Sequence, residues 1–270
     1  MNFTGKLRQA AEKADSLVCV GLDVDPAKLP VQLASGKEGI LLFSGAIIGS
    51  TSDMVCAYKP NSAFYEAMGS QGIDILVEIC QMIPPAIPVI LDIKRGDIGS
   101  TASKYASYAY DIIGADAVTV NPYMGFDAVR PFFRDGKCVF VLCLTSNPSA
   151  KDFQMLDTGG SPLFEKVAET AVEWSREGEV GLVVGATWPG YMKKIRDIVG
   201  DMPILVPGVG AQGGDIGTVV QECGGKTGCT VINSTREILY ASSGPDFDSA
   251  ARKSCLHLRS EINRYRRNGV

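Results

Sequence analysis

The stretch PVILDIKRGD (residues 88–97) carries an apolar run into Asp92, Lys94, Arg95 and Asp97, two acids and two bases within six positions. In a strand, residues i and i+2 face the same way, so Asp92 and Lys94 are expected on one face with Ile93 on the other. Asp97 follows Gly96 and falls past the strand end. A lysine flanked by carboxylates keeps its proton, because nearby negative charge favours the ammonium form. That state suits proton donation better than Schiff-base formation, which needs the neutral amine. The plainer alternative is a solvated loop with incidental ion pairs.

A second group of residues points to anion binding. VPGVGAQGGD (206–215) and NSTRE (233–237) each follow an apolar run. Glycines let backbone N–H groups approach an anion closely, Gln212 can donate from its amide, and Arg236 can grip a phosphate with two parallel bonds. The competing reading is a glycine loop beside an unrelated surface arginine. GVGAQG (208–213) also fits the dinucleotide pattern GxGxxG, but the following strand ends in NSTRE, without a clear ribose-binding acid at its tip. GGKTG (224–228) imitates a phosphate loop and fails, since Val220 stands where the earlier glycine is required.

Metal and triad chemistry find little support. The only histidine, His257, lies in an amphipathic stretch near the C-terminus, and no HxH, HExxH or calcium-loop spacing occurs. The basic residues Arg264, Arg266 and Arg267 read as a solvated helix face rather than a nucleic-acid contact.

These groups need elements to position them. Eight strand-like runs recur at 17–24, 54–60, 88–94, 117–123, 138–145, 180–187, 203–209 and 229–235. They are rich in Val, Ile and Leu on both parities, as expected of parallel strands covered on both faces. Helical spacers separate them; NSAFYEAMGSQGIDILVEICQMI (61–83) and SPLFEKVAETAVEWSREG (161–178) open at Asn61 and Ser161 as expected caps. Eight β-then-α units predict an α/β fold, a single (β/α)8 TIM barrel over 1–270, with a doubly wound open sheet as the alternative. Barrel active sites lie at the carboxyl ends of the strands. The polar residues expected there are Asp23, Asp25, Lys59, Asn61, Asp92, Lys94, Asp97, Asn121, Thr145, Ser146, Thr187, Gln212, Ser234, Thr235 and Arg236.

The bulk numbers agree with such a domain. The chain has 270 residues, 46% hydrophobic and 21% charged, which is long enough to bury a core without metal or disulfide staples. A formal net charge of −4 provides no global field to recruit nucleic acid or an anionic membrane. The eight cysteines form no CxxC pair and most sit in apolar runs, favouring a reducing compartment. No signal-peptide core and no membrane-spanning run is apparent, so a cytoplasmic location is expected.

The segments DIKRGDIGST, GLDVD, AYKPN, TSNPS, VPGVGAQGGD and STRE, in this order by position from Asp23 to Arg236 apart from the first, together resemble the orotidine 5'-phosphate decarboxylase family. The likeness is to its branch with a longer chain and an insertion after the first strand, here about 30–50. The resemblance implies a cofactor-independent, metal-free decarboxylase of pyrimidine nucleotide biosynthesis with a small nucleotide substrate. It implies that Asp23 and Lys59 hold the ribose hydroxyls. Asp92 and Lys94 would face the substrate carboxylate, with Lys94 delivering a proton to C6. Asp97, with Ile98 and Thr101, would reach the neighbouring subunit's site in a homodimer. Ser146 would bond the pyrimidine, Pro207 would line its pocket, and Gln212 and Arg236 would bind phosphate. The alternatives are a metal-dependent sugar-phosphate lyase of the same architecture (hexulose-phosphate synthase or keto-gulonate-phosphate decarboxylase) and a non-catalytic nucleotide-binding barrel.

Overall fold

The computed structural model describes residues 1–209, 215–223 and 229–268. Gln212 and the GGKTG segment lie outside the described residues.

The first half of the chain runs α1 (Phe3–Ala14), β1 (Val18–Gly21), α2 (Lys37–Thr51), β2 (Ala57–Lys59), α3 (Ser62–Glu66), α4 (Ser70–Met82), β3 (Ile90–Arg95), α5 (Gly99–Ser107) and β4 (Ala117–Val120). The second half runs α6 (Phe126–Val129), β5 (Cys138–Leu144), α7 (Leu163–Trp174), β6 (Glu179–Val184), α8 (Pro189–Val199), β7 (Ile204–Pro207), α9 (Ile216–Glu222), β8 (Thr230–Ser234), α10 (Arg236–Leu239) and α11 (Phe247–Asn268). Each expected strand-like run overlaps one of the eight strands, with β3 running one residue past its run to Arg95 and β6 starting one residue before its run at Glu179.

All ladder pairs are parallel, in the order β2-β1-β8-β7-β6-β5-β4-β3. Between β2 and β3 the ring is closed by isolated parallel bridges, Tyr58 with Val89 and Asn61 with Asp92. The Asp92 N–H donates to the Pro60 carbonyl at 2.9 Å in that seam. This is a (β/α)8 barrel, and its strands are buried on both sides, which is why they read as continuous Val/Ile/Leu runs. The 30–50 segment expected as an insertion contributes most of α2 to the β1–β2 crossover.

At the amino-terminal end, α1 packs across β5 and β6. Asn2 caps the helix, and Glu179 accepts the N–H groups of Phe3 at 3.0 Å and Thr4 at 2.9 Å. Phe3 meets Phe140 edge-on with ring centroids 5.7 Å apart, and its full burial is worth roughly 1.5–3 kcal/mol.

Two helix expectations differ in detail. The 61–83 spacer is two helices, because Gly69 takes φ +70 and breaks the run between α3 and α4. Asn61 does cap α3, accepting from Ala63 N at 3.1 Å. α7 starts behind Pro162, with no side-chain cap from Ser161. His257 lies exposed on α11, while Arg266 and Arg267 reach Asp15 at 3.5 and 2.9 Å. All eight cysteines are buried and none is bridged to another.

Candidate active site

The chemistry expected at the tips of β2 and β3 is assembled there. Lys59 ends β2 and is 3% exposed; Asp92 lies in β3 and is 8% exposed. Lys59 Nζ stands 3.1 Å from Asp92 Oδ2, and Lys94 Nζ stands 2.6 Å from Asp92 Oδ1. One carboxylate is therefore shared by two ammonium groups. Lys94 is half exposed at the mouth, whereas Lys59 is sealed beneath.

Lys94 reaches Asp92 by a route that strand alternation does not describe. Its backbone is left-handed, φ +44, and the β3–β4 register shifts between Leu91 and Arg95. A non-glycine residue held there stores strain, and such strain persists where surrounding contacts enforce it. The enforcing contact is Thr119 on β4, whose Oγ1 accepts the N–H groups of Ile93 and Lys94, each at 3.0 Å. The same hydroxyl donates to Asp92 Oδ1 at 2.7 Å.

The charges set one another's ionisation. Burial alone would disfavour the Lys59 ammonium, but Asp92 and Asp23 reverse that and raise its pKa above the ordinary lysine value. Burial likewise opposes ionisation of Asp92, yet Lys59, Lys94 and the hydrogen bonds from Lys94 and Thr119 hold it below the usual carboxylate range. Asp23 differs: burial pushes its pKa up, and the nearby lysines only partly offset this. Its Oδ1 accepts the Asn61 N–H at 3.0 Å, tying the tip of β1 to that of β2.

Above this array lies a cavity of about 410 Å³. Asp23, Asp25, Lys59, Asp92, Pro207, Ser234, Thr235 and Arg236 of the expected residues line it, whereas Lys94, held on Asp92 beside it, is not among the lining residues. Arg236 opens α10, and its guanidinium has no carboxylate partner among the described residues. Gly21 permits the close approach of β1 to this corner, since a Cβ there would fall 1.9 Å from Thr235 Oγ1. Arg236 itself is exposed to solvent at the cavity rim.

Other expected residues stand apart from the cavity wall. Ser146 follows β5 in a loop fixed by Gln154, whose Oε1 accepts from Thr145 N at 2.7 Å, and by Trp188, which donates to Thr145 O at 2.7 Å. Gly185 makes room for that loop, because a Cβ would meet Ser146 N at 2.6 Å. Asp97, Ile98 and Thr101 lie at the start of α5 on the outer surface, with Ile98 49% exposed. Among the described residues Asp97 accepts the N–H of Ile98, at 2.8 Å, and no other donor.

Several lining residues were not singled out from sequence: Lys28, Phe64, Asn233 and Tyr240. Tyr240 joins the tip of β1, accepting from Asp25 N at 2.8 Å, and Lys28 lies 5.4 Å over its ring. Asn233 is one residue inside the strand-end set and was within reach of a slightly wider window. Thr119 carried no signal, being an ordinary β-branched residue in a strand.

Comparison with known proteins agrees with this geometry. Residues 16–252 match the family described as orotidine 5'-phosphate decarboxylase / HUMPS. The orotidine 5'-phosphate decarboxylase of Cupriavidus metallidurans is 50% identical over 270 residues, covering 98% of this chain and 99% of its own. That of Azoarcus sp. is 48% identical over 98% of this chain and 100% of its own. A crystal structure of a putative orotidine-monophosphate-decarboxylase from Toxoplasma gondii superposes with TM-score 0.90 at 40% identity, covering 100% of this chain and 98% of that one. With the shared barrel, the lysine–aspartate–lysine array at its strand tips and this likeness along nearly the whole length, the chain belongs to the orotidine 5'-phosphate decarboxylase / HUMPS family.

Proposed function

We propose that this protein converts orotidine 5'-phosphate to uridine 5'-phosphate and CO2, without a cofactor, in pyrimidine nucleotide biosynthesis. The observation that carries the reading is the buried Asp92 carboxylate held between Lys59 and Lys94 at the mouth of the barrel. The full-length relatives of that name support the substrate.

The chemistry follows from what the array can do. When the C6–carboxylate bond breaks, CO2 departs and the bonding pair stays on C6 in an sp2 orbital that the ring cannot delocalise. Stabilisation must be electrostatic. An ammonium group fixed beside C6 opposes that charge and then donates its proton to the carbon; Lys94, at the open edge of the array, fills this role. Fixed charges need no reorganisation during the reaction, which makes their contribution large. Lys94 leaves this step as a neutral amine and regains a proton from solvent. Lys59 and Asp92 keep Lys94 in place, and Asp92 faces the substrate carboxylate.

Binding energy comes from the other end of the nucleotide. Arg236 and, in this reading, Gln212 take the phosphate, Asp23 and Lys59 the ribose hydroxyls, and Ser146 and Pro207 the pyrimidine. Phosphate binding far from C6 can offset the cost of ordering the reacting end.

Both Asp92 oxygens are engaged, Oδ1 with Lys94 and Thr119 and Oδ2 with Lys59. Two adjacent ammonium groups also repel a divalent cation, so the array favours the metal-free reaction over a metal-dependent sugar-phosphate lyase. The exposed start of α5 supports a homodimer in which Asp97, Ile98 and Thr101 complete the partner's site. Eight buried cysteines without a disulfide among them suit a reducing, cytoplasmic setting. No helix among the described residues is long and apolar enough to cross a membrane.

The test is to incubate the protein with orotidine 5'-phosphate in excess chelator and follow the orotate ultraviolet band. Conversion to uridine 5'-phosphate is expected. No conversion, with activity on a sugar phosphate once magnesium is added, would overturn the reading.

A further inference from the structure

At the carboxyl end of β8, Asn233 is 7% exposed and forms part of the cavity wall. Its neighbours in register are Cys19 on β1 and Pro207 on β7. Its Nδ2 donates to Thr235 Oγ1 at 3.3 Å, while its Oδ1 meets no donor among the described residues. Buried polar atoms in native proteins are almost always paired, and an unpaired one calls for an explanation. Here the atom belongs to a residue that walls the substrate cavity, so the missing donor is one that a ligand can bring.

The position of Asn233 narrows which donor that is. Arg236, three residues on, lies at the rim of the same cavity, and Asp23 and Lys59 approach from β1 and β2. A nucleoside 5'-phosphate with its phosphate on Arg236 places the ribose next, ahead of the base. Phosphate oxygens at neutral pH accept hydrogen bonds; ribose hydroxyls donate them. The unpaired group is an acceptor, and so it matches the sugar.

We propose that Asn233 is a substrate-binding residue whose Oδ1 accepts a hydrogen bond from a ribose hydroxyl of the nucleotide. This deepens the orotidine 5'-phosphate reading and rests on it. In the complex the sugar hydroxyl shares its proton with this acceptor, which gives the site a means of preferring ribonucleotides over deoxyribonucleotides.

The test measures affinities of uridine 5'-phosphate and its 2'-deoxy and 3'-deoxy analogues by calorimetry for the wild type, Asn233→Ala and Asn233→Asp. The wild type should bind at least one deoxy analogue about threefold to tenfold more weakly than uridine 5'-phosphate, the range of one neutral hydrogen bond. Asn233→Ala should lose that preference for the same analogue, and Asn233→Asp, which keeps an acceptor, should retain it. Asn233→Ser, too short to reach, replaces the alanine variant if that does not fold. Undiminished discrimination in Asn233→Ala or Asn233→Ser would overturn the assignment to Asn233 while leaving the nucleotide reading intact. Failure of the wild type to bind uridine 5'-phosphate at all would overturn both.

Discussion

Thr119 Oγ1 donates to Asp92 Oδ1 across 2.7 Å, joining β4 to the charged tip of β3. Because the same oxygen accepts two backbone N–H groups, at Ile93 and Lys94, it fixes both the carboxylate and the left-handed turn that presents Lys94. A hydroxyl can donate once and accept twice, and here all of that capacity is used.

Thr119→Val keeps the shape and removes the hydroxyl. Two buried N–H groups and one carboxylate oxygen lose their partner, so unfolding by urea should show a stability loss of about 1–3 kcal/mol. Turnover should fall about 10-fold to 100-fold as Lys94 loses its fixed position. Thr119→Ser should restore most of both. A valine variant with wild-type turnover would show that the hydroxyl does not position Lys94.

The ionisation of Asp92 gives a pH dependence with a definite sign. Its folded pKa lies below the ordinary carboxylate value, so its contribution is present above about pH 4 and is lost as pH falls toward the folded value. Asn at this position takes from buried Lys59 its hydrogen-bonded counter-charge and leaves only the more distant Asp23, a cost of up to about 3–5 kcal/mol at neutral pH. The stability gap between wild type and Asp92→Asn should therefore be large at pH 7 and narrow toward pH 3, measured by urea unfolding. A gap that stays constant over that range would contradict an ionised, ion-paired Asp92. Asp23 works in the opposite sense, since its raised pKa favours the fold most at low pH and loses that contribution as pH rises through the folded value.

How far the sequence discloses this arrangement depends on whether a residue breaks a pattern. The strands were legible because parallel strands covered on both faces must be apolar on both parities, and Asp92 and Lys94 were legible as charges interrupting such a run. Thr119 breaks nothing, because threonine is at home in any strand, and its importance comes from facing Asp92 across a ladder. The left-handed Lys94 was hidden for a related reason: alternation already placed it on the face of Asp92, so the bulge that does so left no mark. Gly69 sits inside a helical periodicity that continues on both sides of it, and only its backbone angle separates α3 from α4. Asp97, Ile98 and Thr101 lie at the surface of one chain, where no strand or helix pattern in the sequence assigns them a role and only the family resemblance does.

The proposed sharing of sites in a dimer makes a prediction that a self-contained site does not. Asp97→Ala and Lys94→Ala homodimers should each be nearly inactive. After verified subunit exchange at equal concentrations, about a quarter of the wild-type activity should return, because half the dimers are hybrids and each hybrid has one site with both residues intact. No recovery would mean that Asp97 serves the site of its own chain or none.

The central claim is that Lys94, held by Asp92, supplies the proton to C6, and it is tested most directly by separating binding from chemistry in Lys94→Ala. Uridine 5'-phosphate affinity and the turnover of orotidine 5'-phosphate should be measured on the same folded preparation. The account predicts affinity within a few-fold of wild type and turnover lower by at least about 10²–10⁴, the usual share of a positioned acid. Turnover close to wild type in that variant would contradict it.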